Sequence, residues 1–236
     1  MATTRKPGRP VDPDLQQRRR EQILDAAAIH FAESGYANTD TQKLAAELEI
    51  SKGTIFHYFP TKRELFAASI ERALKQLGDS VEAAAAAFAD PLEQLVAAMA
   101  AYLRFFDERP EVVELLILER VEFKDRKSSY FDRDDKDCDD RWQGVIAGLV
   151  ADGRFRNLDV ERIRDVLGDV LYGTIFSNRM SGRARTLAEQ TRSVFDIVFR
   201  GLLTDDERAR GDELFHRAAA ITHTEHSTTR QPEPGR

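Results

Sequence analysis

Apolar residues recur along this chain at intervals of three and four, the spacing of one face of an α-helix. The clearest stripes run from Ile23 to Phe31, from Leu65 to Leu77, from Leu92 to Phe106 and from Ile163 to Phe176. The chain shows no alternation of apolar and polar residues of the kind that a half-buried strand has. The pattern therefore predicts an all-α protein.

Start and stop signals divide these stripes into separate helices. Asp90-Pro91-Leu92-Glu93 combines an N-cap, a proline at the first helical position and a third-position glutamate, and Asp159 is a second good cap. Gly35 stands where a left-handed residue ends a helix. Gly78 and Gly153 are the predicted ends of two later helices.

The stretch from Ile50 to Leu65 predicts a helix of only about seven residues, which is unstable alone. Ser51 is the expected cap of this helix, and Pro60 ends it. Gly53 leaves a spot without a side chain, where a phosphate backbone can approach. Capping boxes at Thr39–Gln42 and Thr61–Glu64 are predicted to open the helices before and after it. A helix, a short turn and a short polar helix form a helix-turn-helix, whose second helix enters the major groove of DNA.

The spaced residues of this region resemble the DNA-binding domain of TetR-type transcriptional regulators. The resemblance covers about Gln17 to Leu77 and rests on F-A-E-S-G-Y followed by T-x5-A-x4-I-S-K-G-T-I-F-x-Y-F-x-T-K-x-x-L. This chain has Glu49 where the family usually has a glycine in the turn, so we expect a less tight turn. It has Phe56 where the family usually has a tyrosine, which removes one possible hydrogen bond to phosphate.

On this reading Lys52, Thr54 and His57 bear base or phosphate contacts, while other donors hold the phosphate backbone. A basic arm in residues 1–15 either lies in the adjacent minor groove or is a solvated tail. The predicted DNA-binding residues are Arg5, Lys6, Arg9, Thr39, Thr41, Ser51, Lys52, Gly53, Thr54, His57, Tyr58 and Lys62.

The distribution of charge agrees with a protein that meets DNA at one end. The whole chain has a net charge of −6. Residues 1–63 hold ten basic and eight acidic side chains, a balance of +2, which leaves −8 for residues 64–236. A mildly basic segment on an acidic remainder suits a double-stranded DNA partner.

The predicted organisation is a flexible arm in residues 1–15, a three-helix helix-turn-helix domain in 16–60, a larger helical ligand-binding and dimerisation domain in 61–204, and a polar tail in 205–236.

The resemblance implies a homodimer formed by the last two helices and an effector pocket among the middle ones. The candidate pocket residues are Met99, Tyr102, Phe106, Leu116, Glu119, Phe123, Trp142, Ile146, Tyr172 and Phe176. The candidate interface residues are Val166, Gly168, Val170, Gly173, Val194, Val198 and Leu202.

The family resemblance suggests a repressor released by a small lipophilic effector. A buried Glu119 or Glu122 would favour a cationic one, because a buried carboxylate needs a partner. The alternative is a DNA-anchored architectural or protein-regulated dimer without a small-molecule ligand. A closed apolar cavity of about 300 Å³ or more favours the sensor, whereas a filled core favours the protein partner.

Other chemistry finds little support in the sequence. The single cysteine, Cys138, excludes an internal disulfide framework and fits a reducing cytosol. The acidic segment Asp132–Asp140 does not have the spacing of a calcium loop, and the histidines after residue 204 are read as tail residues, so no metal site is predicted. No phosphate-binding glycine loop or catalytic signature is present, so we expect no enzymatic activity and no cofactor. No apolar run is long enough for a membrane span, and no signal peptide is present, so the predicted location is cytoplasmic.

Overall fold

The computed structural model describes residues 12–123, 136–182 and 186–208. Within these ranges the chain forms helices joined by short connections, which confirms the all-α prediction. None of them combines the length and the hydrophobicity that a membrane span needs. The helices are α1 (Pro13–Asn38), α2 (Thr41–Glu47), α3 (Lys52–Tyr58), α4 (Lys62–Ala86), α5 (Pro91–Glu108), α6 (Pro110–Glu122), α7 (Lys136–Ala151), α8 (Val160–Ser181) and α9 (Leu187–Leu202).

Four helix starts, those of α3, α4, α5 and α8, lie at the predicted caps. Asp90 accepts hydrogen bonds from the backbone N–H groups of Leu92 and Glu93, and Asp159 accepts one from Arg162. At α4 the capping box is complete, because Thr61 and Glu64 each accept a bond from the other's backbone.

Three predicted boundaries were wrong. Helix α1 begins at Pro13, inside the predicted arm, because Asp12 caps it. The cap of α2 is Asp40 and not Thr39, since the Asp40 carboxylate accepts the bond from the Gln42 backbone. Helix α4 continues through Gly78, whose cost of about 1 kcal/mol is outweighed by the alanine-rich, partly buried turns that follow.

The described residues divide into two compact units. We call residues 12–73 and 114–123 the head, and the remaining described residues the body. The division differs from the predicted boundary at residue 61, because the first turns of α4 and the second half of α6 belong to the head.

The head is held together by an apolar core and by one charged cluster. Its buried side chains include Leu24, Phe31 and Phe66. The guanidinium of Arg72 in α4 donates two hydrogen bonds to the Asp25 carboxylate in α1, at 2.7 and 2.9 Å. Such a bidentate pair fixes the orientation of two helices as well as their distance.

The body has a separate core between α5, α7, α8 and α9. Its buried members are Leu92, Leu95, Val96, Met99, Ala100, Ile146, Leu149, Phe155, Ile163, Leu167, Phe195, Phe199 and Leu203. The burial of this apolar surface is the main favourable contribution to the stability of the body.

A charged cluster, the Arg154 junction, lies at one edge of this core. The guanidinium of Arg154 donates to Asp90 at 2.6 Å and to Glu207 at 2.9 Å. The backbone of Arg154 also accepts a bond from Thr204, next to a bridge between Phe155 and Leu203. The junction therefore joins the start of α5, the end of α7 and a helical turn at residues 205–208.

Candidate nucleic-acid interface

Helix α3 has one buried face and one exposed face. Ser51 caps the helix by accepting a 3.0 Å bond from the Thr54 backbone, as predicted. Ile55 is buried in the head together with Phe59, which directly follows the helix. Lys52 and His57 are exposed, and both carry hydrogen-bond donors suited to base edges and phosphates.

The turn before α3 is tight. Glu49 has a φ of 52°, in the left-handed region that favours glycine. The backbone N–H of Glu49 donates to Ala46 at 3.1 Å, and that of Ile50 donates to Ala45 at 2.9 Å. The expectation of a looser turn at Glu49 was therefore wrong: the geometry is kept, and the glutamate adopts a strained backbone conformation.

Gly53 lies on the exposed side of α3, and the packing of the head does not require it. A Cβ added there would meet only the Ser51 hydroxyl, at an ordinary contact distance of 3.5 Å. This open position agrees with the expectation that an external backbone approaches α3 at Gly53.

Two aromatic contacts order the polar side chains of α3. The ammonium of Lys52 lies 5.8 Å from the centre of the Phe56 ring, within cation–π range. The ring of His57 stands edge-on to that of Tyr58, with centroids 5.5 Å apart. Phe56 lacks the hydroxyl that is usual at this position in TetR-type regulators, but its ring holds the Lys52 ammonium by this cation–π contact.

Three predicted phosphate ligands have roles inside the head. Thr39 is only 5% exposed and donates its hydroxyl proton to the carbonyl oxygen of Gly35 at 2.7 Å. Thr41 is buried at the start of α2. Lys62 donates to the carbonyl oxygen of Ala37 at 2.9 Å and lies over the Tyr36 ring. These contacts fix the end of α1, so the assignment of Thr39 and Thr41 to the DNA surface is corrected.

Two exposed polar residues, Gln42 and Lys43, were not among the predicted DNA-binding residues. Both are exposed on α2, where only the capping signal at Thr39–Gln42 had been noted. The apolar positions Leu44 and Ala45 are buried, which leaves these neighbouring polar positions outside. The predicted arm residues Arg5, Lys6 and Arg9 lie outside the described residues, as does the acidic segment up to residue 135.

The body brings together four of the predicted pocket residues. Tyr102 and Phe106 pack at a ring distance of 5.0 Å in α5, and Tyr172 and Phe176 at 4.4 Å in α8. Burial raises the pKa of the Tyr102 phenol, and the nearby Tyr172 raises it further, so Tyr102 remains protonated at neutral pH.

A half-open cavity of about 160 Å³ lies beside Phe106. Five of its eight lining residues are apolar, and the other three contribute a carboxylate, an amide and a guanidinium. The lining residues are Leu103, Phe106, Asp107, Pro110, Val113, Ile175, Asn178 and Arg179. Seven of these eight were missed, although Leu103 stands three residues before Phe106 on the same helical face and was within reach of the pattern.

The remaining pocket candidates lie elsewhere. Met99 and Ile146 are buried in the body core, and Trp142 packs against that core. Leu116, Glu119 and Phe123 belong to the head, with Glu119 only 1% exposed, whereas Glu122 is exposed. Ligand-lining and core residues share the same apolar sequence signature, so the pattern alone did not separate them.

The predicted dimer residues include both exposed positions and positions partly buried against the body's own core. In α8, Val166, Gly168 and Gly173 are exposed, and Val170 is half-buried. In α9, all three candidates pack partly against the body's own core; these are Val194, Val198 and Leu202. The most exposed apolar side chains of this helix pair are ones the prediction omitted, namely Ile197 at 75% and Met180 at 80%.

Comparison with known proteins finds a family match in the head and similar regulators along the rest of the chain. Residues 23–69 match the model described as "Bacterial regulatory proteins, tetR family". The HTH-type transcriptional repressor KstR of Mycobacterium tuberculosis is 24% identical over 196 residues, which cover 83% of this chain and 86% of KstR. The HTH-type transcriptional regulator HbdR of Aromatoleum sp. (strain CIB) is 30% identical over 105 residues, so this chain spans 46% of HbdR's length.

The fold is also similar to that of a solved regulator. The structure of the ketosteroid transcriptional regulator KstR2 of Mycobacterium tuberculosis superposes with a TM-score of 0.63 and 24% identity, covering 79% of this chain and 96% of KstR2. The exposed α3, its Ser51 cap and the tight turn at Glu49 occupy the matched region. Residues 23–69 thus match the tetR family of regulatory proteins, and the chain as a whole is similar to DNA-binding transcriptional regulators of this type.

Proposed function

We propose that this protein is a homodimeric, sequence-specific repressor that a small effector releases from DNA. The observation that carries the proposal is the exposed face of α3, where Lys52, Gly53 and His57 stand outward from a helix fixed in the head at Ile55. Lysine donates to guanine in the major groove, and histidine donates to bases or phosphates. The naming of the relative KstR as a repressor supports the sign of regulation.

Dimerisation is supported by the apolar exposed face of α8 and α9. Val166, Met180 and Ile197 place aliphatic surface in water on two neighbouring helices. A second copy of the same face removes that surface from water in a two-fold interface. Two heads related by such an axis read a near-palindromic operator, with half-sites about 34 Å apart or somewhat more.

The effector is proposed to bind in the cavity beside Phe106. Its volume of about 160 Å³ is close to that of a cavity of about 150 Å³ that binds benzene. The cavity therefore suits a molecule with one ring or a short branched chain better than a ketosteroid, the class of compound for which the similar regulator KstR2 is named. The mixed polar rim of Asp107, Asn178 and Arg179 suits a ligand with one polar end.

A protein-regulated dimer is the second candidate. The observation that favours it is the small size of this cavity against the roughly 300–1,000 Å³ usual for ligand pockets. In that case the body serves dimerisation, and release from DNA depends on a protein partner. Thermal denaturation in the presence of a library of one-ring compounds distinguishes the two candidates. Stabilisation by a compound that is lost in Phe106→Trp favours the small-molecule effector. If no compound stabilises the protein, the protein partner is favoured.

The test of DNA reading is operator selection from random duplex DNA by the purified protein, repeated for Lys52→Ala and His57→Ala. The wild type is expected to select a near-palindrome. Each variant is expected to lose about 1–3 kcal/mol of operator binding and to relax selection at its own position in both half-sites. The control is Lys75→Ala, which removes an exposed lysine from α4 outside the head.

Two results would count against this proposal. Salt-sensitive binding without a consensus contradicts sequence-specific reading, because phosphate contacts alone carry no sequence information. A consensus that survives in both variants shows that other residues than Lys52 and His57 read the bases.

A further inference from the structure

The head contains a cluster of four aromatic rings, one of which comes from a distant part of the chain. Phe31 and Tyr36 belong to α1, Phe66 to α4, and Phe123 directly follows α6. The Phe123 ring lies 5.2 Å from that of Tyr36 and 5.5 Å from that of Phe66. Phe66 lies 5.0 Å from Phe31 and 5.3 Å from Tyr36, so each ring has at least two neighbours.

Two cations from the start of α4 cover this cluster. The guanidinium of Arg63 lies 4.8 Å from the centre of the Phe123 ring, and the ammonium of Lys62 lies 5.3 Å from that of Tyr36. Lys62 also donates to the carbonyl oxygen of Ala37. Phe123 thus packs between aromatic rings on one side and a cation on another, an arrangement that restricts its orientation.

The position of the cluster matters for α3. Tyr36 follows Gly35, the residue with positive φ near the end of α1, and Phe66 lies in the second turn of α4. These two points are the ends of the segment that contains α2 and α3. A ring that contacts both Tyr36 and Phe66 therefore fixes the distance between the supports of the reading helix.

We propose that Phe123 is a positioning residue for DNA recognition: it holds the end of α1 and the start of α4 in the arrangement that presents α3 to an operator. Its ring packs against those of Tyr36 and Phe66, and its effect on α3 is transmitted through these two residues. This inference rests on the proposed reading of DNA by α3.

The test measures two affinities for each variant, one for the selected operator and one for an unrelated duplex of the same length. Phe123→Ala is expected to lower operator affinity about tenfold, since it removes two ring contacts and the cation–π contact. Affinity for the unrelated duplex is expected to change less than twofold, because phosphate contacts tolerate small shifts of α3. Phe123→Tyr keeps the ring and is expected to restore the ratio of the two affinities.

The matched control is Val121→Ala, which truncates an exposed side chain two residues earlier in α6 and is expected to leave both affinities unchanged. The proposal is overturned if Phe123→Ala leaves the ratio of operator affinity to unrelated-duplex affinity unchanged. An equal fall in the two affinities is one such result, because partial unfolding lowers them alike. If Phe123→Ala does not fold, Phe123→Leu keeps the apolar bulk without the ring, and the same ratio decides. A normal ratio in both Lys52→Ala and His57→Ala counts against the proposed reading by α3 instead, so the two failures are distinguishable.

Discussion

The exposed faces of α3 and of the α8–α9 pair differ in what they offer a partner. Helix α3 presents Lys52 and His57, whose charge and donors suit a polar, anionic ligand. Helices α8 and α9 present Val166, Met180 and Ile197, which suit a surface that excludes water. The first face suits the proposed contact with DNA, and the second suits the proposed contact with a copy of the same chain. The chemistry of the exposed side chains distinguishes the two faces, whereas helical periodicity does not.

The supports beneath the two faces differ as well. Helix α3 is two turns long and depends on the strained turn at Glu49 and on the Ser51 cap. The α8–α9 pair is long, rests on a broad apolar core, and is fixed at one end by the Arg154 junction. Short elements are therefore sensitive to local backbone changes, and long ones to loss of burial or of a buried ion pair.

The largest effect is expected from Ile197→Asp, which breaks the apolar face. A two-fold interface would bury two such carboxylates without cations, at a cost of several kcal/mol. We expect the dimer dissociation constant to rise about 100-fold or more, measured by sedimentation velocity over a range of concentrations. Val121→Asp, which places the same charge at an exposed apolar position of the head, is the control. A variant that remains dimeric contradicts an interface at Ile197.

A smaller effect is expected from loss of the Arg154 junction. Arg154→Ala leaves the buried Glu207 carboxylate without its guanidinium, which we expect to lower the free energy of unfolding by about 3 kcal/mol in urea denaturation. Lys75→Ala removes an exposed i,i+4 pair with Asp79 and is expected to cost less than about 0.5 kcal/mol. Similar losses in the two variants would contradict the importance of the junction.

The same junction makes stability depend on pH. Burial alone raises the pKa of Asp90, but the hydrogen bonds from Arg154 and from the backbone of Glu93 and Leu92 outweigh it, so the pKa lies below its ordinary value of 3.8. The resulting stability is fully present above about pH 4 and is lost as pH falls through the lowered pKa. In Arg154→Ala this part of the acid dependence should shrink, as measured by urea midpoints between pH 2 and 6.

The smallest effect, and the only stabilising one, is expected at the turn before α3. Glu49→Gly removes the strain of a positive φ and should raise the free energy of unfolding by about 1 kcal/mol or slightly less. Ala46→Gly in α2, where the backbone is helical, should lower it by about 1 kcal/mol. A lower free energy of unfolding in Glu49→Gly would show that the Glu49 side chain stabilises the fold by more than the backbone strain destabilises it.

The helix caps were more predictable from sequence than the packing between helices, for a physical reason. Caps and turns such as Ser51, Asp90 and Thr61 act within four residues of chain, so the sequence displays both partners at once. The cavity, the aromatic cluster at Phe123 and the Arg154 junction join residues far apart in sequence. Their partners are set by helix packing, which periodicity constrains only to a face.

The Arg154 junction also bears on how the protein can be shortened. Judged by polarity alone, the folded part ends at residue 204. Glu207 nevertheless lies 94% out of contact with solvent and holds the guanidinium that also caps the start of α5 through Asp90. A protein trimmed at residue 204 for crystallisation or fusion would lack this carboxylate and should be less stable than one that retains Arg208. The useful cutting point is therefore marked by a buried ion pair and not by the change in composition.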